Sequence, residues 1–311
     1  MASAVSSIID TIGSTPVVQL RQLVSPGMAS VFVKLEGTNP TGSKKDRMAR
    51  EVIESAARRG ELKDSQPVVE YTGGSTGTSL ALVCAATGHK LFIVSSDAFS
   101  QEKRDHMTAL GAEVLLVQSD RQQITQALIK AMIQKASEIA SQENAFWTDQ
   151  LNNRDAARGY EALGHELIAQ IGVIDAYVDS IGTAHGIIGV SAGLRSGGSL
   201  AKVVGVEPAE SPVITQGKTG AHRIEGMGLG FVAPHWNESV TDSMETVSSE
   251  EAHAMARRLA SEEGIFAGAS TGANVVAALR IAARLGPHKT VATIAVDNGM
   301  KYLSTEVYRR S

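Results

Sequence analysis

The chain has 311 residues, 43% of them hydrophobic, and a formal net charge of -4. It carries no basic footprint, which argues against a nucleic-acid partner, and its length suggests about two domains at the usual ~150 residues each. The single cysteine, Cys84, excludes an internal disulfide and a multi-cysteine metal cluster. No apolar run reaches ~18 residues, and Met1-Ala2-Ser3-Ala4-Val5 lacks a basic region followed by a hydrophobic one. A soluble, cytoplasmic protein with no membrane partner is therefore expected.

Short apolar runs alternate with amphipathic stretches. Val31-Phe32-Val33 reads as a buried strand, followed by the loop Asn39-Pro40-Thr41-Gly42-Ser43-Lys44-Lys45-Asp46-Arg47 and a helix over Met48 to Ala57. Val68 to Tyr71 reads as a strand and Ser75 to Thr87 as a helix closed by Gly88. Cys84 lies in that helix's apolar run and reads as a buried, inert thiol. Leu91 to Val94 (strand), Gln101 to Leu110 (helix) and Glu113 to Val117 (strand) follow. Ile124, Leu128, Met132, Ala136 and Ile139 then step by three or four, the spacing of one buried helix face.

The second half repeats the alternation. Helices are predicted over Leu163 to Ile171, Ile187 to Leu194, Ser249 to Glu263 and Ala273 to Leu285. Strands are predicted over Ala176 to Val178, Val203 to Val206, Ile265 to Ala267 and Thr290 to Val296. This order predicts an α/β fold of mostly parallel sheets covered by helices, with mostly short connections and a domain junction near Asn152-Asn153-Arg154-Asp155.

In parallel sheets the ligand lies beyond the carboxyl ends of the strands, so the glycine-rich turns after strands carry the search. Thr72-Gly73-Gly74-Ser75-Thr76-Gly77 offers backbone N–H groups, hydroxyls and a helix N-terminus, a natural seat for a carboxylate or phosphate. Gly182-Thr183-Ala184-His185-Gly186 has the same layout. His185 could add charge there, although a solvent-facing or locally bonded histidine is the plainer reading.

Gly268-Ala269-Ser270-Thr271-Gly272 matches the G-x-S-x-G nucleophile elbow and makes a serine hydrolase the rival reading. The hydrolase order needs an acid and then a histidine after the serine. Only His288 follows Ser270, no acid lies between them, and Asp297 comes after the histidine. That order fails. Gly217-Lys218-Thr219 resembles the end of a P-loop, but Pro212 stands where its first glycine belongs. The eight histidines show no metal-ligand spacing, so no metal is expected, and His106 and His222 read as ordinary polar positions. A lysine such as Lys45, at the mouth of a strand-loop-helix turn, can condense with an aldehyde such as that of pyridoxal phosphate.

The assembled motifs resemble the cysteine synthase family of pyridoxal-phosphate enzymes, which includes cystathionine β-synthases. The likeness starts with Ile12 to Leu20 and Lys34-Leu35-Glu36. It continues through the Asn39 to Arg47 loop (the family's NPxxSxKDR), Glu70 to Gly77, Glu102-Lys103-Arg104 and Gly111-Ala112-Glu113. Gly205-Val206-Glu207-Pro208, Ile224 to Phe231, Gly268 to Ala273 and Tyr302-Leu303-Ser304-Thr305 complete it.

The resemblance implies two α/β domains with pyridoxal 5'-phosphate between them: a smaller domain of residues 45–150 and a larger one of 1–44 and 151–311. It implies that Lys45 carries the cofactor as an internal aldimine and then removes the substrate α-proton. Thr72, Gly73, Gly74 and Thr76, with Gln150, would grip the amino acid's α-carboxylate. Gly182, Thr183, Ala184, His185 and Gly186 would cup the cofactor phosphate, and Ser270 would bond the pyridine nitrogen. The implied reaction is β-replacement on a serine-derived amino acid through an aminoacrylate, such as O-acetylserine with sulfide giving cysteine, in a homodimer.

Departures from the family pattern keep other outcomes open. Ser75 stands where TSGNTG has its cofactor-contacting asparagine. Ala184, His185 and Gly186 alter the usual GTGGT cup, and Asn152-Asn153-Arg154-Asp155 replaces an asparagine-proline pattern. Another donor or nucleophile, such as an amine, serine/threonine dehydratase-like β-elimination, or an inert cofactor-binding regulatory protein all remain possible outcomes. The close at Ser311 leads to the expectation of no regulatory domain or haem extension. Lys44, at a variable motif position, reads as solvated.

Overall fold

The computed structural model describes residues 4–121, 123 and 125–309. In chain order β1 (Val17–Gln19) and β2 (Ser30–Leu35) precede α1 (Lys45–Arg58), β3 (Val68–Tyr71), α2 (Ser75–Thr87) and β4 (Leu91–Ser96). Next come α3 (Gln101–Ala109), β5 (Glu113–Val117), α4 (Gln126–Gln142), β6 (Phe146–Trp147), α5 (Asp155–Arg158) and α6 (Glu161–Ile171). The chain continues through β7 (Ala176–Ser180), α7 (His185–Ser196), β8 (Lys202–Pro208) and α8 (Val213–Gln216). It closes with β9 (Ser243–Val247), α9 (Ser249–Glu262), α10 (Ala269–Leu285) and β10 (Thr290–Ala295).

These elements form two compact units: Met1–Ile12 with Asn39–Gly159, and Gly13–Thr38 with Tyr160–Ser311. The first holds a four-stranded parallel sheet, β5-β4-β3-β6, in which Glu70 lies opposite Ile93 and Val68 opposite Phe146. The second holds a six-stranded sheet, β1-β2-β10-β7-β8-β9, parallel except for the antiparallel edge strand β1. Both cores are helix-covered. In the first, Ile53, Leu80, Val83 and Met107 bury against Val68 and Ile93. In the second, Val275, Ala278 and Leu259 bury against Val31, Val178 and Val291.

Residues 39–44 and 151–159 belong to the first unit, which is wider than the segment 45–150 defined above. The physical reason is local bonding. Thr41 is tied to Asp46, and the α5 residue Asp155 pairs with Arg59 at 2.6 Å.

The predicted strand at Ile265 to Ala267 is only a single bridge, Ala267 to Asn298. The helices expected from Met48, Ile187 and Ala273 begin earlier, at Lys45, His185 and Ala269. Their first turns are rich in polar and small residues, which hide a helix start from apolar periodicity. Tertiary contacts decide instead: a side chain at Gly272 would strike the Ala252 carbonyl of α9. Most connections are short, but residues 217–242 form a long one. His222 Nε2 lies 2.8 Å from the Gly228 carbonyl oxygen, and the Gly228 N–H donates to Ile181 O at 3.0 Å, fixing that segment beside the turn after β7.

The helical face of α4 buries Leu128, Met132, Ala136 and Ile139; Ile124 lies outside the described residues. Cys84 is buried, and burial pushes its thiol up to about 12, as an inert thiol requires. Among the described residues no helix is long and apolar enough to cross a membrane, and no group of three or more His, Cys, Asp or Glu could hold a metal ion.

Candidate active site

In the first unit, Lys45 is the first residue of α1 and half-buried. The loop before it is folded by Asp46, whose carboxylate accepts from the Thr41 N–H (2.8 Å), the Thr41 hydroxyl and the Ser79 hydroxyl (2.5 Å). The Lys45 N–H donates to Ser43 Oγ at 3.2 Å. The aspartate of the lysine motif therefore pins the loop to α1 and to α2, and the serine receives the helix's first N–H. Lys44 is not solvated: it is 6% exposed, because the chain enters the helix already packed into the unit.

The turn Thr72 to Thr76 leaves the carboxyl end of β3 and opens α2, whose N-terminus carries no side-chain cap. Gln150 follows β6, the parallel neighbour of β3, so both lie at the same end of the sheet. Gln150 Nε2 donates to the Tyr71 carbonyl at 2.7 Å, and its Oε1 accepts from the Thr76 hydroxyl at 2.9 Å. One amide thus grips both ends of the turn. The Gly74 N–H donates to Thr72 Oγ1 at 3.1 Å.

Helix α3 lies along the turn. A Cβ at Gly73 would sit 2.5 Å from the Phe99 ring, one at Gly74 would strike the Lys103 stem, and one at Gly77 would strike Met107. Lys103 and Met107, four residues apart, share one face of α3, and Phe99 lies just before that helix and its N-cap Ser100. A serine at position 73, as in the usual TSGNTG, has no room beside Phe99. Phe99 escaped the reading of the sequence, although the glycine at 73 was its signal.

Glu70 was also missed. It is 0% exposed, two residues before the turn, where strand alternation gives no hint of chemistry. Burial pushes its carboxyl up to about 7, with Asp149 adding to the rise and hydrogen bonds from Thr148, Gln150 and Tyr71 opposing it. The folded protein therefore keeps that proton to higher pH than the unfolded chain. Its stabilising contribution is full below about 4.5 and lost as pH rises to about 7.

In the second unit, Gly182 and Thr183 leave the carboxyl end of β7. Ala184 is the N-cap of α7, and His185 and Gly186 form the helix's first residues, with no side-chain cap. A Cβ on Gly182 would lie 2.7 Å from the Gly226 carbonyl oxygen. Ala184 has φ 67°, a left-handed conformation that costs a non-glycine residue about 1 kcal/mol or more. His185 does not face solvent. It is 2% exposed, its ring 5.5 Å from that of His235.

Ser270 is the second residue of α10 and buried. Helix α10 starts beside the Ala267–Asn298 bridge, just past the carboxyl end of β10, and β10 pairs in parallel with β7. The Asn274 amide reaches the Ile294 carbonyl at 3.1 Å, tying α10 to β10. Ser270 and the Gly182 turn therefore stand at one end of one sheet. The glycines flanking Ser270 serve packing: Gly268 faces Asp297 and Tyr302, Gly272 faces α9.

A family model described as pyridoxal-phosphate dependent enzyme matches residues 8–297. A cysteine synthase of Staphylococcus aureus is 40% identical over 307 residues, covering 98% of this chain and 97% of that protein. The solved structure of O-ureido-L-serine synthase matches with a TM-score of 0.92 at 34% identity, covering 98% of this chain and 96% of the other. O-acetyl serine sulfhydrylase isoform 3 from Entamoeba histolytica matches with a TM-score of 0.92 at 32% identity, covering 99% and 93%. The chain belongs to the pyridoxal-phosphate dependent enzyme family. It is an enzyme of the cysteine synthase type, its cofactor pyridoxal phosphate and its reaction β-replacement.

The residues present fit that cofactor. The first unit holds a half-buried lysine, and the second holds an uncapped helix N-terminus beside a glycine admitting no side chain and a buried neutral hydroxyl, groups of the kinds that cofactor calls for. Gly182→Ala should then weaken both fold and cofactor grip. Forcing a methyl against a backbone carbonyl costs about 1–3 kcal/mol. Thermal unfolding of the cofactor-free protein measures the first effect and cofactor loss on dialysis the second. An unchanged melting temperature and unchanged retention would refute the close fit.

Proposed function

We propose that this enzyme replaces the β-substituent of an O-substituted serine, O-acetylserine or a near relative, with sulfide. The observation that carries the reading is the Gln150 clamp, which holds the turn Thr72 to Thr76 in one shape at the uncapped start of α2, a seat for an α-carboxylate. Thr72, Gly73, Gly74, Thr76 and Gln150 bind that carboxylate. Lys45 holds the cofactor, then takes the α-proton at Nζ. Gly182, Thr183, Ala184, His185 and Gly186 receive the cofactor phosphate, Ser270 donates a hydrogen bond toward the ring nitrogen, and Ser75 stands at the cofactor's 3′-oxygen. When bound, pyridoxal phosphate supplies the electron sink that lets the α-proton leave. A serine hydroxyl, unlike a carboxylate, does not hold that ring fully protonated, which suits β-replacement. By this reading the protein works as a homodimer in the cytoplasm.

The likeness to O-ureido-L-serine synthase favours a second reading, in which a nucleophile other than sulfide yields a non-protein amino acid. A spectral titration of the cofactor-loaded enzyme with a panel of β-substituted alanines, followed by product analysis with sulfide and with amine or hydroxyl nucleophiles, decides between them. We expect O-acetylserine to perturb the cofactor spectrum and sulfide to give cysteine. A ketoacid as sole product would establish elimination instead. A spectrum that no amino acid perturbs would mark a regulatory protein without turnover.

A further inference from the structure

The Gln150 clamp needs its own support, because Gln150 sits on a short segment after a two-residue strand. Its neighbour Asp149 has φ 42°, a conformation few non-glycine residues adopt. The support is Glu70. One oxygen of its buried carboxylate accepts from the Thr148 hydroxyl at 2.6 Å and from the Gln150 N–H at 2.9 Å. The other accepts from the Tyr71 N–H at 2.9 Å. The carboxylate therefore holds the Gln150 backbone on one side and the strand end that launches the turn on the other. Gln150 passes the constraint on through Tyr71 O and Thr76.

We propose that Glu70 is a positioning residue for substrate recognition: it fixes Gln150 so that the turn Thr72 to Thr76 is preorganised for the amino acid's α-carboxylate. The inference deepens the functional reading above and rests on it. Glu70, fully buried in its bonds to Thr148, Gln150 and Tyr71, acts through Gln150.

The acceptor pattern makes Glu70→Gln an informative change. A carboxylate accepts at both oxygens, whereas an amide of the same shape accepts at one and donates at the other. Either the Tyr71 N–H or the Thr148–Gln150 pair then loses its acceptor. The expected result at about pH 8 is a roughly tenfold rise in the half-saturation concentration for the amino acid donor, the scale of one lost buried hydrogen bond. The rate at saturation should change less than about twofold, and the visible cofactor absorbance should stay unchanged.

Because Glu70 works through Gln150, Gln150→Ala should raise the same quantity, and the double variant should be no worse than the more severe single one. Additive effects would show a merely structural role. Thr148→Val, which removes one donor from the same oxygen and leaves the turn intact, should give a smaller rise in the same direction. It serves if Glu70→Gln does not fold, and an unchanged half-saturation in it would then overturn the proposal. If the wild-type enzyme saturates with donor and Glu70→Gln saturates identically, this inference fails alone. If the wild-type enzyme responds to no β-substituted alanine, the functional reading fails and takes the inference with it.

Discussion

Lys45→Ala protein is expected to purify folded but colourless, and to turn over substrate at least about a thousandfold more slowly. The size follows from the two roles proposed for this one residue: the amine that binds the aldehyde, and the base that takes the α-proton, which alone is typically worth 10²–10⁴. The placement supports this. Lys45 is the first residue of a 14-residue helix and only half-buried. Asp46 holds the preceding loop whether or not residue 45 carries an amine, so the fold should survive. Lys44→Ala is the control. It removes a buried side chain from the same loop, so it should lower the melting temperature yet keep the absorbance and most of the activity. Colour and turnover retained in Lys45→Ala would sink the assignment; colour lost in Lys44→Ala alone would move it by one residue.

Lys34→Met is expected to destabilise the second unit by about 1–3 kcal/mol, the usual cost of removing a charged partner from buried hydrogen bonds. Lys34 is 0% exposed. Its ammonium donates to Thr15 O at 2.6 Å and Gln170 Oε1 at 2.7 Å, and pairs with Glu166 Oε2 at 2.6 Å. Three acceptors meet the three N–H groups of an ammonium. Methionine keeps the stem's volume, so the loss would report the ammonium and its partners rather than a cavity. Next to it Thr15 Oγ1 donates to the buried Glu36 at 2.6 Å, so the Ile12 to Leu20 and Lys34-Leu35-Glu36 motifs form one buried network. Urea unfolding of the cofactor-free protein measures the effect. A loss below about 1 kcal/mol would show that the network is not needed for stability.

These two lysines show what a sequence can and cannot say. Both lie in motifs shared with the family, and nothing in their local pattern separates the one proposed to meet the cofactor from the one that ties a strand to a helix. Burial gives no pointer to Lys45 either: Lys34, Lys44, Lys103 and Lys301 are all buried, and Lys45 is less so. The position within NPxxSxKDR selected Lys45.

Alternating apolar runs gave the α/β class and the parallel sheets. Val68–Tyr71, Ser75–Thr87 and Glu113–Val117 stand at the bounds their periodicity predicts, because each is closed by a glycine or a change of period. Helix starts were less legible. The first turns holding Lys45, His185 and Ser270 contain polar and small residues and read as loops. Likewise β1, β6 and β9 are too short or too polar to signal a strand, and exist because a neighbouring strand offers them hydrogen bonds.

The sequence by itself determined the sheet type and the three glycine turns that open helices, since turn chemistry and period are properties of neighbouring residues. Only the tertiary structure decided that Glu70 stands behind Gln150, that Phe99 fills the space at Gly73, that Lys44 is buried and that His185 meets His235. Each of those facts joins residues that the chain separates, or depends on which way a side chain turns once the sheet has formed. Spacing along the chain carries no record of either.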